Sequence, residues 1–330
     1  MKRPVLSCSA LLTVICAVPA DAQAGCRMSA GDFSWARSAL QASDLVMLHR
    51  LHLIPDGRPT IILFDRTCSF EATSPSGARW IGTSHNGSIK LPDGGEAPPA
   101  VTSFASRDEK SGRRFFVMAL PSIWYAAKVM PPGDKGLTGV FVHEFSHTRQ
   151  MDVLKERFES AAAIHKLPDD FTDDTIQKRF QSDPNYSASI GREIELLYRA
   201  ADEPDVLKAR SLAREALELM QLRQKRSFTG EDAWLRPYDD LFLTMEGFGQ
   251  WAGYAWLSDK KGGGMDRAAA MTKMRGSGRW WSQDEGLALF LVIDKLLPGW
   301  AGQAFGSPPL LGIEMLGKAV AAEQPPSVRS

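Results

Sequence analysis

Two histidines and a glutamate in "TGVFVHEFSHTRQ" (138–150) have the types and the spacing to bind a metal ion and move a proton. On an α-helix, four positions turn the chain by about 400°. His143 and His147 therefore lie on one face, one turn apart, where two imidazoles can bind one ion. Glu144 is rotated about 100° from His143. It stands beside such an ion rather than under it, placed to accept a proton from a metal-bound water. This is the HExxH arrangement of two zinc ligands and a general base. Val140, Phe141, Val142 and Phe145 are apolar, Ser146 is uncharged, and no proline interrupts the stretch. The alternative is a surface helix whose histidines bind nothing. It must explain imidazoles and a carboxylate within an apolar helix, where burying them unpaired is costly.

A catalytic zinc ion takes a third protein ligand and keeps its fourth position for water. The other histidines are His49, His52, His85 and His165. His49 and His52 are three apart but lack an acidic companion at useful spacing, so they read as structural. No Gly and His follow His147 in the tight three-histidine pattern. The search passes to glutamates. Glu156 and Glu159 lie too far along the motif helix to fold back. Glu193 and Glu195 lie on the next amphipathic helix. Glu285 stands in capping-box register with Ser282. Glu246, in "LTMEGFGQWAGY", has no such role, and its apolar surroundings disfavour an unpaired carboxylate. Gly247 and Gly249 would let its helix pack closely against the motif helix.

At these residues the chain resembles the zincin metallopeptidases, on the gluzincin side where the third ligand is glutamate. "HEFSH" matches their first motif. "MEGFGQWAGY" resembles the downstream Glu-Gly motif of peptidase-MA-like proteins. The likeness covers these two short stretches. It implies an α+β, zincin-like fold and one Zn2+ ion held by His143, His147 and Glu246, with Glu144 as the catalytic base. Glu195 is the alternative third ligand. The resemblance further implies an edge strand that holds the substrate backbone, for which "RRFFVMALPSIW" (113–124) is the candidate. It also implies a phenol at the oxyanion, Tyr254 or Tyr238. Trp251 and Trp256 read as core.

The elements that must position these residues fall into two lobes. To about residue 135 the chain is turn-rich and strand-like. "PTIILFDRTCSF" (59–70) reads as a buried strand, and "WIGTSHNGSIKLPDGGE" (80–96) as a hairpin with turns at Asn86-Gly87 and Asp93-Gly94. From 136 to 320 the period is helical, with segments at 191–201, 206–226, 239–258 and 282–297 and a break at Pro204. The expectation is one zincin-like catalytic domain over 25–330: a strand-rich lobe (25–135), a mainly helical lobe (136–320) and a disordered tail (321–330).

Residues 1–24 read as a signal peptide. Lys2 and Arg3 precede an apolar stretch too short to span a bilayer, and cleavage falls after Ala24 or, second, after Ala22. Cys8 and Cys16 leave with it. Cys26 and Cys68 remain, and in an oxidising compartment they are expected to pair. The alternative makes Cys26 a lipid-acceptor cysteine, because "QAGC" resembles the end of a lipobox. The 330-residue chain carries 39 basic and 39 acidic side chains, a balance that gives no nucleic-acid footprint and no polybasic membrane anchor. No later stretch is long and apolar enough to span a bilayer. The expected protein is an exported, periplasmic or secreted zinc metallopeptidase acting on a peptide or protein substrate. Two alternatives stay open: a non-catalytic extracytoplasmic binding or scaffold protein of the same fold, and a zinc hydrolase of non-peptide amides. Oligomeric state and cleavage specificity are not legible.

Overall fold

The computed structural model describes residues 25–53, 57–72, 79–131, 133–168 and 170–322. The expected leader and the tail from residue 323 lie outside them. The chain is α+β and divides into two compact units. The strand-rich unit runs to Met151 and includes Ala255–Met265, and the helical unit takes Asp152–Tyr254 and the chain from Asp266 onward. Where the sequence suggests a division before the motif helix, the structure divides within it.

The strand-rich unit opens with α1 (Ala30–Asp44), capped by Ser29 Oγ, which accepts from the Asp32 N–H at 3.0 Å. Among the described residues seven strands follow: β1 (Thr60–Phe64), β2 (Cys68–Ala72), β3 (Trp80–Ser84), β4 (Ile89–Lys90), β5 (Glu96–Ala97), β6 (Ser103–Arg107) and β7 (Arg114–Ala119). Five form one sheet in the order β3-β2-β1-β7-β6, and β4 pairs with β5 in a separate ribbon. The β1–β7 pair is parallel; the other neighbours are antiparallel. Ile61 to Phe64 and Phe115 to Ala119 are all buried. These central strands are covered on both faces, so they read as continuous apolar runs rather than alternating ones.

Three strand expectations need correction. Residues 59–70 are two strands, because Asp65 Oδ1 accepts from the N–H groups of Thr67 and Cys68 at 2.8 and 2.7 Å. This Asx turn folds the run into the β1–β2 hairpin. Asn86-Gly87 does not close a hairpin, since β3 pairs with β2; the tight turn at Asp93-Gly94 joins β4 to β5. Residues 113–124 do not supply an edge strand, because β7 is bonded by β1 on one side and β6 on the other. The edges are β3 and the half-buried, more polar β6, a composition suited to an open edge.

Cys26 is disulfide-bonded to Cys68, as expected, so its sulfur is not available as a lipid acceptor. Its segment lies directly on β3, where a Cβ on Gly82 would come 2.4 Å from the Cys26 carbonyl oxygen.

After α2 (Pro121–Ala126) comes the motif helix, α3 (Gly136–Val153). Asp134 Oδ1 accepts from the Gly136 N–H at 2.7 Å at its start. Leu137, Phe141 and Phe145, at i, i+4 and i+8, form its apolar stripe and belong to the core cluster of the sheet. Phe116 of β7 meets Phe141 and Phe145 edge-on at 5.1 and 5.3 Å. Trp35 of α1 meets Phe141 at 5.8 Å. Arg114 Nη1 donates to the Thr148 carbonyl at 3.1 Å, tying β7 to the helix once more.

The helical unit contains α4 (Lys155–Ala162), α5 (Thr175–Phe180), α6 (Pro184–Asp202), α7 (Val206–Ser227), α8 (Arg236–Ser258), α9 (Arg267–Arg275), α10 (Trp281–Leu296), α11 (Trp300–Ala304) and α12 (Gly312–Ala321). Its α8 crosses α10 backbone to backbone, because a Cβ on Gly247 would lie 2.6 Å from the Gly286 carbonyl oxygen. Gly247 thus lets α8 approach α10 closely. The capping box at Ser282 is absent. Helix α10 starts at Trp281, whose N–H donates to Gln177 Oε1 at 2.8 Å, and Glu285 is buried. No helix among the described residues is long and apolar enough to cross a membrane.

Glu285 belongs to a buried network around Arg223 of α7. Arg223 donates to Glu193 of α6 at 2.8 Å, to Asp239 of α8 at 3.1 Å and to the Tyr186 hydroxyl at 2.8 Å, and its Nη2 lies 3.6 Å from Glu285 Oε2. Burial opposes its charge, yet Asp239, Glu285 and Glu193 hold its pKa well above the usual arginine value. Burial pushes the Glu285 carboxyl well above its ordinary range against the pull of Arg223, and the charges of Glu193 and Asp239 push it the same way as burial. Asp240, next to the network, is pushed up to about 7 from 3.8 by burial and by Asp239.

Arg223→Met should destabilise the helical unit by about 3–5 kcal/mol, since it strands buried carboxylates without their cation. A lowered urea midpoint at neutral pH is the readout. Asp240 has a folded pKa above its unfolded one, so its contribution is complete below pH ~4 and is lost as pH rises towards about 7. Asp240→Asn should therefore gain on the wild type across that window, by at most about 1.4 kcal/mol per pH unit, and no further above it. Urea unfolding at several pH values measures the difference.

Candidate metal centre

The face of α3 opposite its phenylalanines carries His143, His147 and Gln150, at i, i+4 and i+7. All three are buried. Ser146 and Thr148 lie alongside, and their hydroxyls bond back to the carbonyls of His143 and Phe145 at 2.6 and 2.7 Å. A buried helix can thus carry polar side chains without stranding them.

The imidazole rings stand perpendicular, with centroids 4.8 Å apart, and their Nε2 atoms approach to 3.1 Å. His147 Nδ1 lies 2.8 Å from Gln150 Oε1. Donor atoms of His143, Glu144 and His147 all fall within 4.8 Å of one another, and these three residues can hold a metal ion. The fit is chemical as well as geometric. Two ring nitrogens that face each other at 3.1 Å repel unless a proton or a cation lies between them. Zinc–nitrogen bonds of about 2.0–2.1 Å bridge such a gap. Glu144 is only partly buried.

The remaining candidates are placed as follows. Glu246 is in the helical unit, on α8, and is 6% exposed. Its Oε2 accepts from Gln283 Nε2 of α10 at 3.2 Å, and Gln283 Oε1 in turn accepts from Gln250 Nε2 at 2.9 Å. Gln283 thus donates a charge-assisted hydrogen bond to the carboxylate, and Gln250 holds Gln283. Asp174 shares this neighbourhood: its carboxyl is raised by burial and, against Lys178, by the charge of Glu246.

Glu195, the alternative ligand, is an exposed side chain paired with Arg192 at 3.0 Å and Arg199 at 3.4 Å. Hydrogen bonding from Arg192 holds its carboxyl below the usual range. Glu193 is bound by Arg223. Glu156 is exposed, and Glu159 pairs with Lys155 at the surface. His49 and His52 are exposed, His85 meets the Asp65 carbonyl at 3.1 Å, and His165 stacks on Trp234 at 4.4 Å. The Tyr254 hydroxyl accepts from Arg267 at 2.9 Å, while Tyr238 is fully buried in an aromatic cluster with Phe171 and Phe242. Trp251 is core, packed against Trp300 at 4.9 Å.

Gln150, Gln250 and Gln283 were not singled out by sequence. Gln150 had a signal in its spacing, seven positions after His143 and three after His147. Gln283 had none, because only the crossing of α8 and α10 brings it to Glu246.

No family model matches the chain, no curated protein matches it, and no solved structure matches it. The class defined by fold and site is therefore an α+β chain with a candidate His-Glu-His metal centre.

Proposed function

We propose that this chain is an exported zinc-dependent metallopeptidase that hydrolyses peptide bonds, with His143, His147 and Glu246 as ligands and Glu144 as the general base. The observation that carries this reading is the approach of the Nε2 atoms of two buried histidines to 3.1 Å, with the partly buried Glu144 directly after the first histidine. A bound zinc ion supplies Lewis acidity, lowering the pKa of water and polarising a carbonyl. Glu144 takes the proton of the attacking water and returns it to the leaving nitrogen. Glu246, the third ligand that the resemblance implies, has its carboxylate bonded by Gln283. The Cys26–Cys68 disulfide supports an oxidising compartment and so export. A centre used only to bind a partner needs the histidines but gains nothing from Glu144, which favours hydrolysis.

Glu144→Gln should keep its zinc and lose hydrolysis, on the order of a hundredfold to ten-thousandfold. Metal analysis of the purified chain and assay on a mixed peptide library check both halves; near-full activity in the variant removes Glu144 as base. Glu246→Ala should purify folded, with little zinc, while Glu195→Ala keeps its metal, because two imidazoles alone hold zinc poorly. Zinc retained in the first variant and lost from the second would transfer the ligand to Glu195.

A further inference from the structure

Resting on His143 and His147 as metal ligands, we propose that Gln150 is the positioning residue of the centre, an amide that aims His147 without adding charge. Gln150 is 4% exposed, and its Oε1 lies 2.8 Å from His147 Nδ1. With its oxygen turned to the ring, the Gln150 amide accepts and Nδ1 donates, which places the proton of the neutral ring on Nδ1. The lone pair is then on Nε2, the atom that approaches His143 Nε2 to 3.1 Å. The other tautomer would set the Nδ1 lone pair against the Oε1 lone pairs and put a proton between the two Nε2 atoms. With its oxygen held toward Nδ1, Gln150 therefore favours the ring form that can bind a metal.

The contact is built into one helix. Gln150 follows His147 by three positions on α3, so both side chains share a face before any other element packs there. The partner is an amide, whereas a metal-bound histidine is often backed by a carboxylate, which raises its basicity. A carboxylate at this position would orient the ring equally well and would add a negative charge beside the ion. The amide orients the ring and leaves a divalent ion's charge less compensated, available to polarise a substrate carbonyl. Metal affinity and turnover should then respond differently to the two replacements Gln150→Met and Gln150→Glu.

The experiment titrates zinc into metal-free wild type and both variants against a chromophoric chelator. It follows their thermal unfolding without metal, and measures kcat and KM on one cleaved peptide. Gln150→Met should weaken zinc about 10–100-fold. Gln150→Glu, which keeps the side-chain shape, should bind zinc at least as tightly as wild type but turn over more slowly at unchanged KM. Nitrogen-15 NMR of the metal-free wild type should show His147 with its proton on Nδ1, and a mixture of tautomers in Gln150→Met. Wild-type zinc affinity in Gln150→Met, with only the unfolding temperature lowered, would reduce Gln150 to a packing residue. Wild-type kcat in Gln150→Glu would overturn the role given to its neutrality. A wild type that binds no zinc overturns the metal centre itself and this inference with it. In a wild type that does bind zinc, an Nε2-protonated His147 overturns the inference about Gln150 alone.

Discussion

Phe141 and Phe145 decide where the histidines point. Each is buried against Phe116, and together they bind one face of α3 to the central strand β7. Burying one phenylalanine contributes about 1.5–3 kcal/mol, far more than any surface contact that could rotate the helix. With that face fixed, the helical period leaves the opposite face to His143, His147 and Gln150. The one-turn spacing of the helix brings the imidazoles within 3.1 Å of each other on that face.

The helical unit depends on a different interaction. Arg223 gathers carboxylates from α6, α8 and α10 around one buried guanidinium. Such a network adds less stability than an apolar core of the same volume, but it penalises any arrangement that leaves a member unpaired. The same α8 and α10 carry Glu246 and Gln283, and they touch through Gly247 and Gly286 without intervening side chains. That close crossing is what lets a glutamine on one helix reach a carboxylate on the other.

Several sequence expectations were revised for one recurring reason: local signals name a turn or a cap but not its partner. Asn86-Gly87 is a good turn, yet β3 is taken by β2. Ser282 and Glu285 have capping spacing, yet Gln177 satisfies the Trp281 N–H and Arg223 claims Glu285. The apolar run of β7 suggested a strand near the motif, but its burial on both faces makes it a centre and leaves β6 as the edge.

By itself the sequence determined what short range can determine. The motif helix, the break at Pro204, the long helices around it and the pairing of Cys26 with Cys68 follow from local period, backbone restriction and the count of cysteines left after the leader. The neighbouring positions of His143, Glu144 and His147 follow from the helix alone, and Gln150 was within reach of the same reasoning. Tertiary structure decided which face of α3 is buried, which glutamates are already held by arginines, and which amide supports Glu246. Those outcomes depend on side chains brought together from distant parts of the chain, and no spacing along the sequence encodes that meeting.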